Sequence, residues 1–410
     1  MSPRGLVLLG LALLCACAVV GADAALAAKK KKPVIHTRMV YLGKAYEEPL
    51  PLSLVDRVLT DNGIQGARFG NKENNVTGRL LRHAFELVEA VVPEDGDVVA
   101  KAREAIAAGD RLIVADLEPE DLLAVADLPE ARAAVIFSIR SSDNALRQEA
   151  CRANVFHMPP SWAARADALA QYLVWKTWKR WFLIKGVRAG DKQYAAAVKR
   201  AAKRFGAKIV EERTYEFEAG SRRVETGHQQ VQTQMPLVTQ GAAEHDVLFV
   251  VDTAEQFGAY LPYRTSDPAP IVGTHGLVAV TWHRSFEQWG SMSMQNAFER
   301  FAGRIMTERD YSAWAAVKSV GEAVTRGRDT SAEGIRAYLL SDTFKLGGFK
   351  GQALTFRRWN NQLRQPILIS AAKSLVSLSP QDGFLHPKFL TDTLGYDEPE
   401  TTCELMRQQN

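Results

Sequence analysis

Residues 181–217 place the tightest constraint on what this chain can fold into. They read WFLIKG, VRAGDKQ, YAAAVKRAAKRFG and AKIVEERTYEF, the signature of strand, loop, helix and strand. Trp181, Phe182, Leu183 and Ile184 form a continuous apolar run, as a strand buried on both faces does. Asp191 can cap a helix in which Tyr194, Val198, Ala201 and Phe205 recur at spacings of 4, 3 and 4, while Lys192, Lys199, Arg200, Lys203 and Arg204 fall elsewhere on the wheel. Gly206 stands where a helix ends on a left-handed residue, and Lys208 opens the next strand. The unit is βαβ. Its first loop lies at the strand's carboxyl end, where open α/β sheets bind ligands.

The chain is 410 residues long, too many for one ordinary core, so two lobes are expected. The net charge is only +4, and residues 29–32 alone supply four lysines. No basic domain surface is left to argue for nucleic acid. Residues 1–24 read as a signal peptide: Arg4, an apolar run over 6–20, and Ala22-Asp23-Ala24 as a cleavage site, with Ala25-Leu26-Ala27 as the alternative. A membrane anchor fits less well, because a spanning helix needs about 20 apolar residues. Leu14-Cys15-Ala16-Cys17 also permits lipoprotein anchoring. Export would leave Cys151 and Cys403, which an oxidising compartment permits to pair but whose spacing does not require it.

Along the rest of the chain strands and helices alternate. Strands are expected at 38–42, 85–92, 112–115 and 134–137, with helices at 55–60, 66–73, 97–108 and 119–125. The rhythm breaks over 138–160, resumes with a helix at 161–178, and continues through the βαβ unit. Then come a helix at 228–239, the strand VLFVV at 247–251, a helix at 255–261 and a strand at 271–272. Residues 277–282 fit one more strand, followed by helices at 295–307, 313–325 and 332–340, a Gly-punctuated hairpin at 344–356, a last strand at 366–369 and an irregular tail from 379. Such alternation implies α/β architecture with two doubly wound, Rossmann-like lobes.

Three local patterns, in this order, resemble the type I periplasmic binding proteins, specifically the branched-chain amino acid-like substrate-binding subunits of ABC importers. They are the βαβ unit itself, the helix carrying Tyr311, Trp314, Ala316, Val317 and Lys318 with Ala323-Val324, and the hairpin carrying Phe349, Gly351, Leu354 and Phe356. Gln352-Ala353 stands where that hairpin commonly has a second glycine. Within the family the chain looks most like a branch found beside quinone (PQQ)-dependent alcohol oxidation, by Glu287-Gln288-Trp289-Gly290 and the residues RDYSAW at 309–314. The resemblance implies two lobes joined by three crossings. Lobe one would be 34–156 with 274–341, lobe two 158–273 with 342–378, and 379–410 an irregular tail. It implies a small-molecule ligand in the cleft, ABC permease subunits as partners, a periplasmic location and no catalysis. An accessory of periplasmic alcohol oxidation, binding a quinone, a metal chelate or a dehydrogenase, is the alternative.

The same resemblance puts ligand contacts in the loop after the fourth strand, here Ser141, Ser142 and Asp143, whose simpler reading is a turn capping the next helix. Family members that bind amino acids usually carry a Ser-Ala-Thr type motif there, so SSDN departs from the pattern. In lobe two Arg188 could pair with an anion, and Asp252 and Thr253 end a strand at its carboxyl side; the plain alternatives are a solvated charge and a helix cap. Trp162 follows Pro159-Pro160 at the first crossing and His275 sits at another, where hinge packing competes with ligand contact. The eight histidines show no HxxxH spacing, and no GxSxG, GxxxxGK[ST] or GxGxxG occurs, so neither a cofactor, a metal nor an active site is expected.

Overall fold

Each strand of the first lobe divides its side chains between two cores, as a covered parallel sheet demands. The computed structural model describes residues 33–48, 57–216 and 225–405. The expected export segment lies outside these residues, as do residues 55–56 of the expected helix at 55–60, whose described part, 57–60, is not helical. The chain begins with β1 (Ile35–Lys44), α1 (Ile64–Leu81), β2 (His83–Val92), α2 (Val98–Ala107), β3 (Leu112–Asp116), α3 (Pro119–Ala126), β4 (Val135–Ser138) and β5 (Val155–His157). The strands form a sheet in the order β2-β1-β3-β4-β5, with β1, β3, β4 and β5 parallel. Met39 and Tyr41 enter one core while Val40 and Leu42 enter the other. Asp97 caps α2 by accepting from the Ala100 N–H at 2.9 Å.

The chain then crosses to the second lobe. This holds α4 (Trp162–Trp175), β6 (Arg180–Lys185), α5 (Ala189–Phe205), β7 (Lys208–Thr214), α6 (Glu225–Thr239), β8 (Val247–Val251), β9 (Ile271–Gly273) and β10 (Leu277–Val280). The βαβ unit is β6, α5 and β7. Trp181 and Leu183 face one core, Phe182 and Ile184 the other. Asp191 sits not before α5 but inside its first turn, accepting from the Arg188 N–H at 3.0 Å. Gly206 ends the helix at φ 76°, a conformation that a side chain disfavours.

After β10 the chain returns through α7 (Ser291–Ala302), α8 (Glu308–Gly327), α9 (Ala332–Leu339) and a small antiparallel sheet of β11 (Leu346–Gly347), β12 (Ala353–Phe356) and β13 (Leu363–Arg364). It crosses a third time into β14 (Ile367–Ala371) and β15 (Ser374–Ser379), which complete the order β15-β14-β10-β9-β8-β6-β7. Two assignments differ from the grouping read in the sequence. β10, expected with lobe one, pairs with β9 and β14 of the second sheet. Phe344, Leu346, Leu354 and Phe356, expected with lobe two, pack in the core of the first lobe around α8. Both segments are short and apolar, and only their partners decide where they lie. β15 is a strand the pattern did not indicate, because its inner and outer residues do not alternate cleanly. Cys151 and Cys403 are joined in a disulfide. Among the described residues no helix is long and apolar enough to cross a membrane.

Candidate functional site

Parallel strands align their carboxyl ends, and the loops there hold each lobe's candidate site residues. In lobe one β3 ends on Asp116, and β4 is followed by Ile139 and Arg140. The Arg140 guanidinium donates from Nε to Asp116 at 2.8 Å, from Nη2 to Glu48 at 2.8 Å and from Nη1 to Glu118 at 3.1 Å, and lies 4.7 Å from the centre of the Tyr46 ring. Arg309, at the start of α8, donates to the same Glu48 at 2.6 Å. Tyr41 donates to the other Asp116 oxygen at 2.8 Å. Burial opposes ionisation of Glu48, but hydrogen bonds and charge from Arg309 and Arg140 hold its carboxyl below the usual range. Burial also works against the Arg140 cation, and its ring of Asp116, Glu48 and Glu118 more than compensates, so its pKa is raised. This wall is therefore ionised, preorganised and of mixed sign.

The loop after Arg140 holds Ser141, Ser142 and Asp143. The Ser141 hydroxyl accepts from the Asp143 N–H at 3.1 Å, and Asp143 Oδ1 accepts from the Ala145 N–H at 2.8 Å. Asp143 Oδ2 reaches the second lobe, accepting from Gln193 Nε2 of α5 at 3.0 Å. The Ser142 carbonyl accepts from the Trp162 N–H at 2.8 Å, and Asn144 Oδ1 from the Ala163 N–H at 2.9 Å, so the loop also seats the start of α4. Beneath it Arg147 is buried. It donates to the carbonyls of Asp143 (2.8 Å), Ser141 (2.9 Å) and Pro159 (2.9 Å), and to Gln362 Oε1 (2.8 Å). Burial pulls its pKa below the ordinary arginine value.

In lobe two the carboxyl ends of β6, β8 and β9 are tied together. Asp191 Oδ1 accepts from Thr253 twice, from N–H at 2.6 Å and from Oγ1 at 2.7 Å. Asp252 accepts from the N–H groups of Gln256 (2.9 Å), Phe257 (2.7 Å) and Gly258 (2.7 Å), and its own N–H donates to Thr274 Oγ1 at 3.0 Å. His275 Nδ1 is 3.0 Å from Thr274 Oγ1, and its ring lies so close to Gly258 that a Cβ there would fall 2.2 Å from Nδ1. Arg188 is exposed beside them. Trp162 is half-buried, stacked on Tyr194 with ring centres 4.7 Å apart. The structure thus brings Asp252, Thr253 and His275 together at the strand ends of lobe two and seats Ser141, Ser142 and Asp143 after β4 of lobe one. Asp143 meets α5 through Gln193.

The hinge carries charges that the sequence reading passed over. Gln365 Nε2 donates to the Met158 carbonyl at 2.7 Å, linking two crossings. The buried Lys350 donates to Gln365 Oε1 at 2.6 Å and the Pro366 carbonyl at 3.1 Å, 4.7 Å from the centre of the Tyr311 ring. Burial pushes its pKa well down. Glu308 accepts from the Thr281 N–H at the remaining crossing and pairs with Arg165 of α4 at 3.1 Å. Arg140 was within reach of sequence reasoning, as a charge following a buried strand. Glu48, Arg309, Lys350 and Glu308 were not, since their partners lie far off in the chain. Among the described residues no group of histidine, cysteine, aspartate and glutamate could hold a metal.

A family model described as periplasmic binding protein matches residues 65–374. Among solved structures, a branched chain amino acid ABC transporter periplasmic ligand-binding protein from Burkholderia xenovorans superposes with a TM-score of 0.69 at 14% identity, covering 90% of this chain and 99% of that one. A leucine-, isoleucine-, valine-, threonine- and alanine-binding protein from Brucella ovis, in a closed conformation, gives 0.64 at 14% identity over 91% and 98%. An ABC transporter substrate-binding protein from Desulfitobacterium hafniense in complex with Leu gives 0.57 at 16% over 83% and 99%. These likenesses establish a shared two-lobed α/β fold. No curated protein matches the chain.

Proposed function

Because the chain belongs to the periplasmic binding protein family, a family of solute-binding proteins and not of enzymes, we propose that it captures a small polar molecule between its lobes and delivers it to an ABC importer. One observation carries this reading: the carboxyl ends of the parallel strands in the two sheets bear preorganised, mixed-sign loops, and Asp143 with Gln193 already bridges from one lobe to the other. A ligand that touches both loops binds the closed form better and shifts the population toward it, giving the permease a shape to read. The amino acid class is favoured by what the structural relatives bind. The ionised wall around Arg140 also suits a zwitterion, offering carboxylates to an ammonium group. Ser141, Ser142, Asp143, Trp162, Arg188, Asp252, Thr253 and His275 remain the proposed contacts. Most of their described polar atoms are already bonded within the protein, so they would act chiefly by shaping the walls. The family is periplasmic, and we assign residues 1–24 as the leader that exports the chain.

A link to PQQ-dependent alcohol oxidation rests on residues 287–290 and 309–314 alone. In the structure Asp310 and Tyr311 serve the first lobe: Asp310 caps α8, and Tyr311 donates to the Gly348 carbonyl at 2.8 Å. Thermal shift with leucine, other amino acids, alcohol-derived acids and PQQ separates the readings. A ligand should raise the melting temperature and shrink the radius of gyration in solution scattering. If neither changes with any of these molecules while a dehydrogenase subunit co-purifies, the transport reading fails.

A further inference from the structure

The last described residues run along the seam between the lobes and are fastened to both. On the second lobe, the buried Asp167 of α4 accepts from the Gly395 N–H at 2.9 Å. Arg200 and Arg204 of α5 donate to the Gly395 carbonyl at 2.9 and 2.8 Å. Arg200 also pairs with Glu400 at 3.1 Å and covers the Tyr396 ring at 4.2 Å. Leu394 is buried in the core of that lobe. On the first lobe, Gln148 Oε1 accepts from Thr402 twice, from N–H at 2.7 Å and from Oγ1 at 2.9 Å. Cys403 is covalently bound to Cys151, which lies between β4 and β5. Cys151 and Gln148 belong to the same segment as Arg147 and the cleft loop at 141–144.

We propose that residues 394–403 form a strap that limits how far the lobes separate, with the Cys151–Cys403 disulfide as its covalent end. The chain length sets the limit. Upstream, Arg357 beside β12 of lobe one also donates to the carbonyls of Leu394 at 2.8 Å and Tyr396 at 3.2 Å. From Glu400, the last contact on lobe two, to Thr402, held by Gln148 of lobe one, there are two residues, which span at most about 7 Å when fully extended. Any larger separation at this seam must first break the pairing of Glu400 with Arg200 and, at 3.8 Å, with Arg204, which is partly exposed to water and therefore the weak link. The next fastening is Gly395, held in a buried network. From there to Cys403 the chain can reach about 28 Å. The strap is thus taut while Glu400 is held and loose once it is released. Cleavage of the disulfide removes the covalent fastening to lobe one and leaves only hydrogen bonds, from Thr402 to Gln148 and from Arg357 to the Leu394 and Tyr396 carbonyls.

A disulfide that merely stabilises lobe one would lower the melting temperature when cut and leave the dimensions of the folded protein unchanged. A strap makes a different demand, and testing it needs no ligand, so its failure is distinct from failure of the transport reading. The full chain is studied by size-exclusion-coupled scattering, oxidised and after dithiothreitol. The reductant loses two electrons and two protons, becoming a cyclic disulfide as Cys151 and Cys403 become thiols. The variants are Cys403→Ser and, with the disulfide intact, Glu400→Gln. Circular dichroism confirms that each sample is folded. Reduction and Cys403→Ser should both increase the radius of gyration of the ligand-free protein and speed amide exchange over 141–148, with Glu400→Gln giving a smaller increase in size. Reduction of the already folded protein covers the case in which Cys403→Ser does not fold. If the reduced, folded protein has the same radius of gyration and the same exchange as the oxidised one, the strap is refuted.

Discussion

Arg147 is a cation that meets no carboxylate through its hydrogen bonds, and replacing it tests how the cleft loop is held. In Arg147→Met the side chain keeps its length and loses its donors. The Pro159 carbonyl would keep a partner, since Gln362 Nε2 donates to it at 3.0 Å. The carbonyls of Ser141 and Asp143 and the Gln362 Oε1 would each lose the guanidinium. Three orphaned acceptors at about 1–3 kcal/mol each, partly offset by removing a buried charge, give a net loss of roughly 3–5 kcal/mol. Arg147→Lys should fall between, because an ammonium keeps the charge but lacks the planar fork that reaches four oxygens in different directions. Urea unfolding followed by fluorescence gives the free energy, and hydrogen exchange over 141–148 locates the loss. A change within about 0.5 kcal/mol, the range of an ordinary surface substitution, would refute the view that Arg147 organises the loop.

Two other substitutions probe the frame. In Gly66→Ala a Cβ would fall 1.9 Å from the Asp310 carbonyl oxygen of α8, a backbone atom that cannot swing aside, so the first lobe should lose at least about 1–3 kcal/mol and melt earlier in calorimetry. Asp167 has its carboxyl raised from its ordinary 3.8 to about 6, by burial against the charges of Arg200 and Arg204. Because the folded value lies above the unfolded one, the stability it contributes is complete below 3.8 and lost as pH rises through about 6. The unfolding free energy of the wild type minus that of Asp167→Asn should therefore fall by up to about 3 kcal/mol over that interval in pH-dependent urea titrations. A difference that stays flat or grows with pH contradicts the assignment.

The elements that could be read in advance are those whose information is local. Apolar runs such as LIVA and VLFVV became β3 and β8 because a strand buried on both faces needs no other instruction. The helix at 332–340 and the turn at Gly206 followed from spacing and a single left-handed residue. The helix expected at 255–261, and the one that Asp143 was expected to cap, are only short 3-10 turns, at Gly258–Tyr263 and Ala145–Arg147. The strand ends that carry the proposed contacts were legible too. What each side chain does there was not: Asp252 shows only an acid after a strand, and three N–H groups folded over it complete the cap.

By itself, the sequence determined two alternating α/β segments, their approximate boundaries and the loops at the strand ends, because periodicity and capping act over a few residues. Tertiary structure alone decided that β10 joins the second sheet, that Arg140 is ringed by Glu48, Asp116 and Glu118, that Lys350 lies buried in the hinge, and that Cys151 meets Cys403 across 252 positions. The reason is physical. A buried charge or an edge strand is stabilised by whichever groups complete it, and here those groups come from the far side of a hinge that the chain crosses three times.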